Sequence, residues 1–372
     1  MRLLIITQKL DAHDSVLGFM HGWVVEFAKQ VENVTVICLE KGQVNLPENG
    51  EVFSLGKEKT ELGIRNYGLW KKVKYIWRFV RYIVQNRNKY DAVFVHMNPE
   101  YILIGGLFWK LWGKMVTLWY AHKSTPWFLR AALPFTNIVF TSTSSGFRLP
   151  SEKVKVVGQG IDIDRFKNRI GNQESGVKNG KGEFKVVTVG RITPAKDYDT
   201  LIQAIEKFRQ NTGMPVRVDI FGSAALFSDD GYLKKLKERI VQKGLSEVVF
   251  FKGSVANIDL PDVLSNYDLF VNMGHTGSLD KAVPEAMAVG LPVLTCNEAF
   301  KAVLGPFTGK LMYPKGDFKV LAELIMKIVS MTSEERFKLG QDLRAIVVRD
   351  HSLKEFVKKI VSATQNHIHE RK

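Results

Sequence analysis

Residues 184–205 read FKVVTVGRITPAKDYDTLIQAI. A β-branched apolar run stops at Gly190, and a short polar segment with Arg191, Pro194 and Lys196 follows. From there Leu201, Ile202 and Ile205 recur at helical spacing. Strand, loop and helix in this order form the repeating element of a parallel sheet, where each strand needs a crossover to reach the next.

The same element extends in both directions. Upstream, LLIIT, VTVIC, DAVFVH, KMVTLWY and NIVFTS are apolar runs with longer amphipathic stretches between most of them. Downstream, VRVDIFG, VVFFKG, DLFVNMG and LPVLTC continue it. Between the two sets, residues 167–182 (KNRIGNQESGVKNGKG) are polar, glycine-rich and aperiodic, which predicts a linker or exposed loop. The expectation is therefore two successive α/β units with buried parallel strands, ending in helices near 317–330, 333–348 and 352–366.

A chain of 372 residues is longer than one core usually serves, which agrees with two domains. With 45% hydrophobic and 24% charged residues, disorder throughout is excluded. The two cysteines, Cys38 and Cys296, supply neither a disulfide framework nor a cysteine-based zinc site, so a reducing, cytoplasmic setting is expected. The apolar run YILIGGLFW (101–109) has about half the length of a bilayer crossing. A net charge of +15 asks for an acidic partner. No nucleic-acid-binding module is recognisable, which leaves phosphorylated ligands and anionic membranes.

In open α/β sheets ligands sit beyond the carboxyl ends of strands. Three such ends in the second half, VTVGRITPAKDY, DIFGSAAL and VNMGHTGSLDK, carry glycines for close approach. Arg191 and Lys196 suit a diphosphate there, one by bidentate bonding and the other as a point charge. In GSLDKAVPEAMAVGLPV (277–293), Pro284 suits the first turn of a short helix, and Gly290 with Pro292 its stop. Glu285 then stands above the strand ends, where a carboxylate accepts two hydrogen bonds from a ribose diol. The pairs Asp162/Asp164 and Asp197/Asp199 have a spacing seen in metal sites but no supporting cluster, so they read as turn residues and no metal is expected.

Residues 64–90 contain eight Lys/Arg and no acid. As a helix, they place Leu69, Val73, Ile76, Val80 and Ile83 on one apolar stripe and Lys71, Lys74, Arg78 and Arg81 on a basic one. Beside Trp70 and Trp77, the basic stripe suits an anionic membrane surface.

VGRITPAKDYDTLIQAI, VVFFKGSVANIDLPDVLSNYDLFVNM and PEAMAVGLPVLT together resemble the C-terminal half of the retaining glycosyltransferases of family 4. LEKG, DAVFVHMNP and WYAHKS are similar to the N-terminal half, with less specific motifs. The resemblance implies the GT-B fold, two Rossmann-like α/β domains facing each other across a cleft. Residues 1–165 would be the acceptor domain and 166–351 the nucleotide-sugar donor domain, with 352–372 crossing back to the first. It implies a hexosyltransferase that takes sugar from a nucleoside-diphosphate donor to an acceptor; taken with the basic stripe, the expected acceptor is a sugar or a lipid-linked one and the expected place is peripheral, on the inner face of the plasma membrane.

Carried over by residue, the resemblance gives Arg191 and Lys196 the donor diphosphate and a catalytic role, and Glu285 the ribose. The turn at Gly277 and Ser278 would offer backbone amides, with Asp280 and Lys281 beside the donor. His122 would be the catalytic histidine near the sugar, and Gly18 would lie in a loop over the phosphates. No protein nucleophile, metal or other cofactor is implied. The chain departs from the family in three places. Gly277 replaces a glutamate, for which Asp280 is the candidate substitute; Gln159-Gly160 replaces Asn-Gly; and LGF reduces the paired glycines of the first loop. The first departure favours a rival reading as a non-catalytic nucleotide-binding or membrane scaffold.

Overall fold

The computed structural model describes residues 1–59, 69–167, 182–224, 227–274 and 277–370. Positions 168–181 of the expected linker and 64–68 of the basic stretch lie outside the described residues. The chain forms two compact units. One comprises Met1–Gly160, Ala256–Ile258 and Leu353–Lys372, the other Ile161–Val255 and Asp259–Ser352. The main changeovers fall at 160/161 and 352/353, with residues 256–258 also grouped in the first unit; the sequence reading drew its boundaries after 165 and 351.

The first unit is built on seven parallel strands: β1 Arg2–Leu10, β2 Asn33–Lys41, β3 Gly50–Ser54, β4 Ala92–His96, β5 Met115–Trp119, β6 Ile138–Thr141 and β7 Val154–Val156. Their order is β3-β2-β1-β4-β5-β6-β7. Strands β4, β5 and β6 are buried at every residue, as strands covered on both faces must be. Alternate residues serve opposite faces. Leu4, Ile6, Val93 and Val95 enter one core, and Leu3, Ile5, Ala92 and Phe94 the other.

Helix Phe19–Gln30 and the closing helix Leu353–His369 cover the second of these faces. Trp23 packs against Phe356, with ring centroids 4.2 Å apart, and its indole N–H donates to the Gly160 carbonyl at 2.8 Å. Val357, Ile360 and Val361 complete the same cluster, so the last helix is part of the first unit's core.

On the opposite face lies helix Leu69–Gln85, and here the sequence reading needs correction. Phe79 and Ile83 are fully buried, with Tyr75, Tyr82 and Val84 packed beside them. Val73 and Ile76, on the expected apolar stripe, are exposed, together with Trp70 and Trp77. The helix has two apolar faces, and the inner one is aromatic. Of the expected stripe Ile83 is fully buried and Val80 half-buried; tyrosines bury their rings while keeping a polar tip, so a count restricted to aliphatic residues missed most of the inner face. The basic stripe is also thinner than expected: Lys74 and Arg81 are exposed and Lys71 half-buried. Arg78 turns inward to donate to the Leu55 carbonyl at 2.6 Å.

The second unit has five parallel strands: β8 Phe184–Val189, β9 Val216–Phe221, β10 Val249–Gly253, β11 Leu269–Asn272 and β12 Val293–Thr295, in the order β10-β9-β8-β11-β12. Its core is continuous through both layers of helices. Each sheet therefore has one place where the strand order reverses, β1/β4 in the first and β8/β11 in the second. Connections leave such a pair in opposite directions and open a crevice at its carboxyl end. Among the described residues no helix is long and apolar enough to cross a membrane.

Candidate active site

In the second unit β8 and β11 are hydrogen-bonded neighbours, with Val186 opposite Leu269 and Val187 opposite Phe270. Their carboxyl-end loops consequently emerge side by side. After β8, the N–H of Ile192 donates to the Ser223 carbonyl at 2.9 Å, and a single turn Pro194–Lys196 leads to Asp197 at φ +47°. Asp and Asn tolerate this left-handed region better than most residues, and the Asp197 carboxylate accepts from Thr200 Oγ1 at 2.7 Å. Helix Tyr198–Thr212 begins there.

The Lys196 side chain folds back over Gly190. A Cβ at Gly190 would lie 3.3 Å from Lys196 Cε and 3.4 Å from Nζ, so the glycine leaves room for the lysine. The ammonium is ion-paired with Asp280. Asn272, buried at the end of β11, donates from Nδ2 to Asp280 Oδ2 at 2.8 Å and accepts from Thr295 Oγ1 at 2.9 Å. A polar row, Thr295–Asn272–Asp280–Lys196, thus crosses the ends of β12, β11 and β8. Arg191, by contrast, is exposed, and its guanidinium pairs with none of the described residues.

Beyond β11, Gly277 has φ +71°, a conformation that disfavours a side chain. Buried Asn297 donates from Nδ2 to the Ser278 carbonyl at 2.8 Å and so locks this turn. The helix that follows is Ala282–Ala288, ended by Gly290 at φ +78°. Pro284 takes its third position, still among the N–H groups that a first turn leaves without helical partners. Glu285 is buried beside Lys281. Burial lowers the Lys281 ammonium to a pKa of about 8, against the opposing pull of the Glu285 carboxylate, while Arg165 adds to the lowering.

This helix is fixed from beneath. Arg344 donates to the carbonyls of Phe166 (2.6 Å), Ile163 (3.2 Å) and Ala288. At Gly340 a Cβ would stand 1.9 Å from the Gly290 carbonyl oxygen, so helix Ser333–Asp350 reaches the turn only because that position is glycine.

Gly18 and His122 belong to the first unit, beyond the ends of β1 and β5. Gly18 opens helix Phe19–Gln30, and a Cβ there would lie 2.4 Å from the Asp14 carbonyl oxygen. His122 Nδ1 accepts from the Ser124 N–H at 3.0 Å, which assigns the proton of the neutral ring to Nε2.

Sequence reasoning missed Asn272 and Asn297, whose one signal was a polar residue closing an apolar strand or following one. Of the Asp-x-Asp pairs, Asp162 accepts from the Arg165 N–H at 3.1 Å and Asp199 pairs with Arg239. Among the described residues no group of three or more His, Cys, Asp or Glu is placed to hold a metal ion. A cavity of about 370 Å³ in the first unit, lined by Lys114, Asn137 and Lys153, opens at the amino ends of β5–β7. Lys114 and Lys153 already donate to backbone carbonyls at 2.7–2.9 Å, so this is a structural hollow.

Residues 169–345, just under half of the chain, match the model of the family Glycosyl transferases group 1. The chain is 24% identical over 208 residues to a putative colanic acid biosynthesis glycosyltransferase of Salmonella typhimurium, covering 52% of this chain and 48% of that protein. It is 30% identical over 158 residues to a GDP-mannose-dependent phosphatidylinositol monomannoside mannosyltransferase of Mycobacterium tuberculosis, covering 40% and 39%. The chain thus spans about half or less of the curated relatives it matches. Anabaena HepE, crystallised with UDP and glucose, superposes with a TM-score of 0.75 at 18% identity, over 98% of this chain and 99% of that one. Sucrose-phosphate synthase from Thermosynechococcus elongatus gives 0.81 at 14% identity, with both chains fully covered. The second unit accordingly matches the group 1 glycosyltransferase model, within a chain that has the two-unit α/β fold of the GT-B glycosyltransferases.

Proposed function

We propose that this protein is a retaining, family 4 glycosyltransferase that moves a hexosyl group from a nucleoside-diphosphate sugar to an acceptor without a metal. The observation that carries the reading is the placement of Arg191, Lys196 and the Gly277–Ser278 turn at the adjoining carboxyl ends of β8 and β11. Cations and backbone amides there meet a diphosphate whose negative charge grows as the glycosidic bond breaks. The departing diphosphate takes the acceptor's proton on the face it leaves, so the new bond forms on that same face and no protein nucleophile is used. Glu285 holds the ribose. HepE binds UDP and the mycobacterial relative uses GDP-mannose, which supports the donor class and leaves the base open.

Incubation with UDP- and GDP-sugars and a simple glycoside acceptor tests this. The expected product carries the donor's anomeric configuration by NMR. An inverted product overturns retention, and no release of nucleoside diphosphate from any donor favours the scaffold alternative.

The acceptor is read as lipid-linked, at an anionic cytoplasmic membrane face. On the helix Leu69–Gln85, Trp70 and Trp77 are 84% and 60% exposed, and Arg81 lies 5.4 Å from the Trp77 ring centroid. Helices Glu100–Leu111 and Trp127–Ala132 follow alongside and add exposed Leu107, Leu111 and Trp127, with Lys110 and Arg130 exposed between them. Aromatic residues interleaved with cations suit the interface of an anionic bilayer. Each Lys or Arg near such a surface contributes about 1 kcal/mol. Replacing Lys74 and Arg81 by Gln should therefore weaken binding to phosphatidylglycerol-containing vesicles about tenfold or more. Equal sedimentation with purely zwitterionic vesicles would count against the surface.

A further inference from the structure

The cation assigned to the diphosphate already has an anion. Lys196 is paired with Asp280, and both side chains are only 16% exposed. Asp280 is not a mobile surface acid. Its own carbonyl accepts from the Val283 N–H at 3.1 Å at the start of the helix, and its Oδ2 is fixed by Asn272. Gly274 keeps the meeting place narrow: a Cβ there would lie 3.3 Å from Lys196 Cδ and 3.4 Å from Asp280 Oδ2.

A phosphate oxygen and this carboxylate cannot both take the ammonium without close like-charge contact. Because Asn272 tethers it, Asp280 can yield the lysine yet cannot leave the site. Once displaced, its oxygens need new hydrogen-bond donors. A diphosphate offers none, whereas the hydroxyls of a transferred sugar do.

Resting on the donor reading given above, we propose that Asp280 is a specificity-determining residue that surrenders Lys196 to a diphosphate only when sugar hydroxyls take up its carboxylate. The site then prefers nucleotide sugar over bare nucleoside diphosphate. After transfer, when the sugar is gone, the carboxylate returns to Lys196 and helps expel the product.

Calorimetric titration of the full chain with pyrophosphate, UDP and GDP, together with donor turnover, tests the proposal. Asp280→Asn preserves the shape and an acceptor for Asn272 but removes the competing charge. It should bind the bare ligands about tenfold or more tightly, show stronger product inhibition, and turn over nucleotide sugar more slowly. Asp280→Glu, which keeps the charge, should retain the weak affinity for the bare ligands. Weaker or unchanged binding of those ligands by Asp280→Asn overturns the proposal. Arg191→Ala separates the two ideas. If it binds pyrophosphate as the wild type does, or if neither the wild type nor Asp280→Asn binds any of the three, the donor reading itself fails. If Arg191→Ala weakens binding while Asp280→Asn fails to strengthen it, the exchange at Lys196 alone is lost.

Discussion

Lys196→Ala lowers kcat with a saturating nucleotide sugar by about 10²–10³-fold, the usual consequence of removing one preorganised donor to developing charge. The effect falls on kcat more than on KM for a reason visible in the site. Without ligand the ammonium is occupied by Asp280, so part of the gain from gripping diphosphate is offset by losing that pair. As the leaving group acquires charge, the balance tips towards it, and an interaction stronger in the transition state than in the ground state appears in turnover. Steady-state kinetics at saturating donor decide the matter. A variant that folds and turns over within threefold of wild type removes Lys196 from the mechanism.

Glu285→Gln should raise the donor KM about 10–100-fold while moving kcat little. Hydrogen bonds to a charged partner contribute roughly 1.5–3 kcal/mol, and each 1.4 kcal/mol is tenfold. The ribose is remote from the bond being broken, so this is binding felt equally before and during reaction. The substitution has a second effect. Glu285 is the stronger of the two carboxylates, with Asp162, that pull the Lys281 pKa upward against burial. Without it the ammonium falls further below about 8, and the variant's donor affinity should decline more steeply than the wild type's as pH rises from 6 to 8. Donor titrations at several pH values measure both effects, and an unchanged KM excludes Glu285 from the ribose.

Much of the sheet architecture was legible because a strand covered on both faces must be a near-continuous apolar run. LLIIT, DAVFVH and KVVTV announce β1, β4 and β8 for this reason. The edge strands β3 and β7 escaped because GEVFS is only half-buried and VKV largely exposed. Their pairing lies in the backbone, which leaves no apolar mark. The helix bearing Glu285 was legible from local punctuation alone, Pro284 and Gly290. The pairing of Lys196 with Asp280 was not: 84 residues separate them, and they meet only because β8 and β11 are neighbours. Strand order is a tertiary fact that no local pattern encodes. The inner aromatic face of Leu69–Gln85 was missed because helical periodicity tells stripes apart without saying which one meets the sheet.

The last helix carries an implication for biosynthesis. Trp23, Phe27 and Trp119 share a cluster with Phe356 and Ile360, side chains translated about two hundred residues after the sheet they cover. A ribosome that has finished the first 160 residues has therefore not yet supplied this layer, and the tryptophan face stays wet while the entire second unit is made. The earlier-made unit is the later one to be completed, so the nascent chain passes through a stage in which this aromatic face has no lid.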